Sequence, residues 1–154
     1  MAKRGQSSPW GEVQSVTKIS HGIRQVSAAG HGGVLVSASY NAKIPAYMRN
    51  PKGAYEEDCD WAIPVVVFQP QWRKWAEKIG RSADVLMDEA INTLRNWHPE
   101  AYETFTGSRI EEGESLLRDE ANLNAKLRDQ YVVVAAWGSW HPKVPTGWQQ
   151  LNKT

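Results

Sequence analysis

Hydrophobic and polar positions alternate through the first forty residues. From Glu12 to Ser20 the apolar positions are Val13, Val16 and Ile19, the loose alternation of a half-buried strand. His21-Gly22 is a turn signal, and Ile23 to Ala28 supplies a second short strand. Gly30-His31-Gly32-Gly33 then breaks the chain. Beyond it Val34, Val36, Ala38 and Tyr40 share one face, with Leu35, Ser37 and Ser39 on the other, a clear period of two. The pattern predicts a three-stranded antiparallel meander.

After a short helical piece over Ala42 to Met48, interrupted by Pro45, and a loop at Asn50-Pro51-Lys52-Gly53, the period lengthens. Tyr55, Cys59, Ala62 and Val66 fall at helical spacing, but Pro64 lies among them. Two readings stay open here: a kinked helix, or a helical turn entering a buried strand through Pro64 to Phe68. Pro70 then starts a helix over Gln71 to Ile79, closed by Gly80, with Trp72, Trp75, Ala76 and Ile79 on its apolar face. Ser82 caps a helix to Trp97, whose buried stripe is Leu86, Ala90, Leu94 and Trp97. His98-Pro99 opens a short helix through Phe105, stopped by Gly107. Ser115 to Arg128 is amphipathic, with Leu116, Glu120, Leu123 and Leu127 on one side and Leu117 and Ala121 beside them. Tyr131 to Trp137 is apolar throughout, as in a strand buried on both faces, and is expected to return to the N-terminal sheet. The fold class is α+β, one domain over 9–148 with tails at 1–8 and 149–154.

Composition narrows the function classes. The 154 residues suit a single core, and a net charge of +1 excludes a strong global field for nucleic acid. One cysteine permits no internal disulfide, in keeping with a reducing cytoplasm. No apolar run approaches a membrane span, and no apolar segment follows Lys3 and Arg4 as a secretory signal requires. Eight tryptophans are an unusual endowment, and large rigid rings serve both cores and binding surfaces.

Chemistry concentrates around Cys59, which four carboxylates, Glu56, Glu57, Asp58 and Asp60, flank. A nucleophilic site would pair Cys59 with His31 or His141 and use Asp58 to orient the imidazole. Its place on an apolar stripe favours inert packing. A metal site would draw on His31, Glu56, Glu57, Asp58 and Asp60, with His31, Glu56 and Asp60 as the leading candidates, although the spacing matches no established ligand pattern. Acids preceding a helix also serve simply to face its dipole. The glycine-rich loop reads as a hairpin turn or an anion cradle, and lacks both the P-loop lysine and the dinucleotide fingerprint, so no cofactor is expected. Binding candidates are Trp72, Arg73, Trp75, Trp137, Trp140, His141 and Trp148. Arg73, Lys74, Lys78 and Arg81 form a local basic face.

Three islands carry a resemblance: Pro9-Trp10-Gly11 with Ser27 to Gly33, Tyr55-Glu56-Glu57-Asp58-Cys59-Asp60-Trp61-Ala62, and Ala136-Trp137 with Trp140-His141-Pro142. Over Trp10 to about Gly147 the chain resembles an uncharacterised domain family of bacterial phage and plasmid proteins. The resemblance implies a mobile-element origin and a bacterial cytoplasm, and no activity. The expectation is a non-enzymatic protein-binding inhibitor of a host defence complex, such as a CRISPR effector, with no membrane partner. Two alternatives stand beside it: a small Cys/His or metal-dependent hydrolase or nuclease using His31 and segment 56–60, and a nucleic-acid-binding accessory protein.

Overall fold

The computed structural model describes residues 3–130. Strands β1 (Ser7–Ser8), β2 (Gly11–Glu12), β3 (Ser15–Ser20), β4 (Ile23–Ser27), β5 (Gly32–Val36) and β6 (Ala54–Glu56) form two sheets. One is the small hairpin β1-β2, and the other is a four-stranded antiparallel sheet in the order β3-β4-β5-β6. The helices are α1 (Ala38–Asn41), α2 (Ala62–Val67), α3 (Gln69–Lys78), α4 (Ala83–Trp97), α5 (Pro99–Thr106) and α6 (Leu116–Gln130). The α+β class and the meander hold, and β6 adds a fourth strand to it. The predicted return strand, Tyr131 to Trp137, lies outside the described residues.

The sheet separates two apolar faces. Ile23, Val34, Val36 and Tyr55 join α2, α3 and α4 in the main core. The pairing of β3 with β4 shifts between Lys18 and Ser20, and Ile19, at this irregularity, is buried in the same core. Val26, paired with Gly33, belongs to the opposite face, where a Cβ on Gly33 would lie 2.7 Å from the Trp10 ring and overlap the Tyr55 carbonyl oxygen. Gly33 is therefore glycine because a ring and a neighbouring strand both approach its backbone. Residues Gly5 to Ser8, expected in a polar tail, are tied down instead: the Gly5 N–H donates to the Val13 carbonyl and the Val13 N–H to that of Gln6, both at 2.8 Å.

Three expectations change. The period of two over Ala38 and Tyr40 does not continue the strand, because Ser37 turns the chain into α1 and the Asn41 N–H bonds back to the Ser37 carbonyl. The helical piece over Ala42 to Met48 is a series of turns. The stripe through Tyr55, Cys59, Ala62 and Val66 is not one helix: Tyr55 lies on β6, Cys59 in a turn, and α2 begins only at Ala62. Pro64 sits in the first turn of α2, where its missing N–H has no intrahelical partner to lose, so the segment is helix rather than buried strand. No acid stands in that first turn, although Asp60 directly precedes the N-cap Trp61.

The α4 helix is the hub. The Ser82 hydroxyl accepts from the Val85 N–H at 3.3 Å, and Leu86, Met87, Ala90 and Leu94 are buried against the neighbouring elements. Trp97, expected in that stripe, is 40% exposed at the helix end. The α6 helix forms as predicted but buries none of its residues; Leu116 and Leu123 are more than half exposed. Its anchor is polar: the buried Ser115 hydroxyl donates to the Asn96 carbonyl, and Arg95 donates to that of Glu114. Among the described residues no helix is long and apolar enough to cross a membrane.

Candidate functional site

Where the helices meet the sheet there is a cleft of about 320 Å³. Its framework follows from local sequence. Pro70 near the start of α3 and the i, i+3 spacing of Trp72 and Trp75 bring both rings toward the β4-β5 side. Trp72 is only 3% exposed and Trp75 is half-buried. Their rings meet edge to face, with centroids 5.8 Å apart and planes at 84°, so they form two walls of a corner. The buried indole N–H of Trp72 has no hydrogen-bond partner among the described residues. Trp61, in the turn between β6 and α2, adds a third ring, and Val34 and Leu86 supply aliphatic lining.

The polar groups of the cleft are Gln25, Glu57, Arg81 and Glu89. Arg81 and Glu89 neutralise each other at 2.7 Å. Arg73 is likewise engaged, donating to Asp84 at 2.8 Å. Half of the basic face read from the sequence is therefore occupied by acids, which weakens it as a nucleic-acid surface.

The acidic segment divides into two groups. His31, Glu56 and Glu57 come together, each offering one ligand atom, all within 4.8 Å of one another. The Glu57 N–H bonds the Gly32 carbonyl, and a Cβ on Gly32 would stand 2.5 Å from the Val26 carbonyl oxygen, so glycine lets the β4 backbone approach here. Gly30 carries the turn itself, at φ +86°. With two carboxylates beside it, the loop is a poor anion cradle and a reasonable cation site: one imidazole and two carboxylates suit a borderline or hard divalent ion. Of the ligands expected from the sequence, His31, Glu56 and Glu57 come together, while Asp58 and Asp60 are not in the group. Asp60 faces elsewhere, with its Oδ1 2.9 Å from Nε2 of His98.

That second group lines a separate hollow of about 290 Å³ with Tyr55 and Arg49. The Tyr55 hydroxyl donates to Asn41 Oδ1 at 2.6 Å and accepts from the Asn50 N–H, while Asn41 donates to the Asn50 carbonyl. Burial foremost pushes the Tyr55 phenol above its ordinary range. The network is closed, and Arg49 is committed to the carbonyls of Ile44 and Ala42. His98 was legible only as a helix boundary, since nothing in its spacing from Asp60 marks the pair.

Cys59 is half-buried and unpaired among the described residues. Burial pushes its thiol above the ordinary range, and the charges of Asp60, Asp58 and Glu56 push the same way. A nucleophile needs the opposite environment. The Asp58 backbone N–H donates to Glu56 Oε2 at 2.9 Å, and His31 groups with Glu56 and Glu57. Of the aromatic candidates, Trp72 is the floor of the cleft and Trp75 an accessible wall. Trp137, Trp140, His141 and Trp148 lie outside the described residues.

A family model described as a domain of unknown function (DUF7007) matches residues 3–128. The match begins ahead of Trp10, and takes in both glycine-rich and acidic islands, the cleft and most of α6. No curated protein and no solved structure matches the chain.

Proposed function

We propose, from the premise that the chain belongs to the DUF7007 family of unknown function, a non-enzymatic binding module. It is carried by phages or plasmids and acts in the bacterial cytoplasm by engaging a host defence protein. The observation that supports this best is the tryptophan-walled cleft, where Trp75 and Trp61 remain accessible beside an acidic rim. Large aromatic rings next to polar groups are the usual anchors of protein recognition. The raised thiol of Cys59, and the grouping of His31 with two glutamates among the described residues, weigh against the Cys/His alternative. The test is capture of interacting proteins from a bacterium with active defence systems, using the wild type, Trp75→Ala and Glu57→Lys. A partner held by the wild type and lost by both variants supports the reading. Turnover of a nucleotide, nucleic acid or peptide that His31→Ala or Cys59→Ser abolishes would replace it with an enzyme.

One observation favours a second reading, a metal-dependent hydrolase or nuclease: the convergence of His31, Glu56 and Glu57. These three would hold the ion, which would activate a water or polarise an ester. Its test is calorimetric titration with Mn²⁺ and Zn²⁺. Stoichiometric binding that His31→Ala removes, accompanied by metal-dependent turnover, supports this reading, and failure of both ions to bind removes it.

A further inference from the structure

The cleft has a chemistry more specific than a general docking surface. Three tryptophans line it, two of them at right angles, and indole faces attract cations through their quadrupole. Its charged groups are two carboxylates and one guanidinium. Arg81 is already spent on Glu89, which leaves Glu57 without an ion-pair or side-chain hydrogen-bond partner among the described residues. An aromatic corner with one unmatched carboxylate at its mouth is complementary to a single cation on an apolar stem. Size agrees: 320 Å³ is at the lower end of ligand pockets, which run from about 300 to 1,000 Å³, and suits one side chain rather than an extended ligand.

Building on the protein-binding reading above, we propose that the cleft receives one arginine side chain of the partner protein. Its guanidinium stacks on the accessible indoles of Trp61 and Trp75 and pairs with Glu57. Arginine suits the site better than lysine because its planar, weakly hydrated head both stacks on rings and pairs with a carboxylate in two-pronged fashion. Glu57 is also one of the three groups beside His31, so a divalent ion there would compete for the same carboxylate.

The experiment titrates the full chain with Nα-acetyl-arginine amide, following the tryptophan indole N–H signals by NMR. Nα-acetyl-norleucine amide serves as the uncharged control and Nα-acetyl-lysine amide as the ammonium control. The expected result is saturable binding of the arginine probe, weaker binding of the lysine probe and none of the norleucine probe. Glu57→Gln, a change at an exposed side chain, is expected to weaken the arginine probe about fivefold, as loss of an accessible ion pair does, while the spectrum stays folded. Trp75→Leu is expected to weaken it at least as much. Arginine and norleucine probes that bind equally, or arginine binding that Glu57→Gln leaves unchanged, would overturn the assignment. Neither result needs the natural partner. A partner captured by the wild type and still held by Glu57→Gln therefore sinks the arginine pocket while leaving protein binding intact.

Discussion

Cys59 shows how a single residue's environment separates two chemistries that its neighbours in sequence do not. Four acids around a thiol look like a reactive centre when written in a line, yet in the fold burial first, and the charges of Asp60, Asp58 and Glu56 after it, push the thiol above its ordinary range. Iodoacetamide is accordingly expected to modify native Cys59 several-fold more slowly at neutral pH than the urea-unfolded chain, and equal rates would contradict the assignment of an inert thiol. Tyr55 makes the complementary case. Its hydroxyl is the centre of the Asn41–Asn50 network. Tyr55→Phe leaves the buried Asn41 without its donor and is expected to cost about 1–3 kcal/mol in urea unfolding. The sequence offered Tyr55 only as an apolar position, because a hydroxyl that bonds Asn50 across a loop and Asn41 beyond it leaves no trace in local periodicity.

At the level of elements, end signals were read more successfully than interior periodicity. Ser82, Gly80, Pro70 and Gly107 each mark a helix boundary through a local rule, and each stands at or within a residue of the end it predicted. Ser82→Ala is expected to destabilise the fold by about 1 kcal/mol, measured as a shift in denaturation midpoint. Periodicity misled wherever two elements shared one spacing. Tyr55 and Ala62 fall on a common helical stripe yet belong to a strand and a helix. Ala38 and Tyr40 extend an alternation that Ser37 has already ended. Gly33 was legible as a breaker but not as a strand residue, because the reason for it is the Trp10 ring arriving from another element. Gly33→Ala is expected to destabilise far more than Gly30→Ala despite the positive φ of Gly30, where open space surrounds the missing Cβ. Similar melting temperatures for the two variants would show that Trp10 does not pack against the sheet.

For the whole molecule, the α+β class followed from the order of the elements, while the site did not. The cleft draws on β4, β5, the β6-α2 turn, α3 and α4, and only tertiary packing on the α4 hub brings Trp75 and Glu57 to one opening. The same assembly sets the response to pH. The Ile110 N–H, then Arg118, hold Glu103 below the ordinary carboxylate range. Its contribution is therefore present above the ordinary range and lost as pH falls through its lowered folded value. Cys59 and Tyr55 are held above their ordinary ranges, so their contributions are complete at neutral pH and lost as pH rises through their folded values. Melting temperature against pH is expected to show a neutral plateau falling on both sides, with Glu103→Gln flattening the acid limb.

The central claim is recognition through the cleft rather than catalysis at the acidic segment. Its most direct test is the affinity of a purified partner for two double variants, Trp75→Ala/Glu57→Lys in the cleft and Cys59→Ser/His31→Ala at the candidate chemistry. The account predicts that the first loses the partner by at least about a hundredfold, as hot-spot removal does, and that the second binds like the wild type. Undiminished binding by the cleft variant, with loss of function confined to the other, would contradict it.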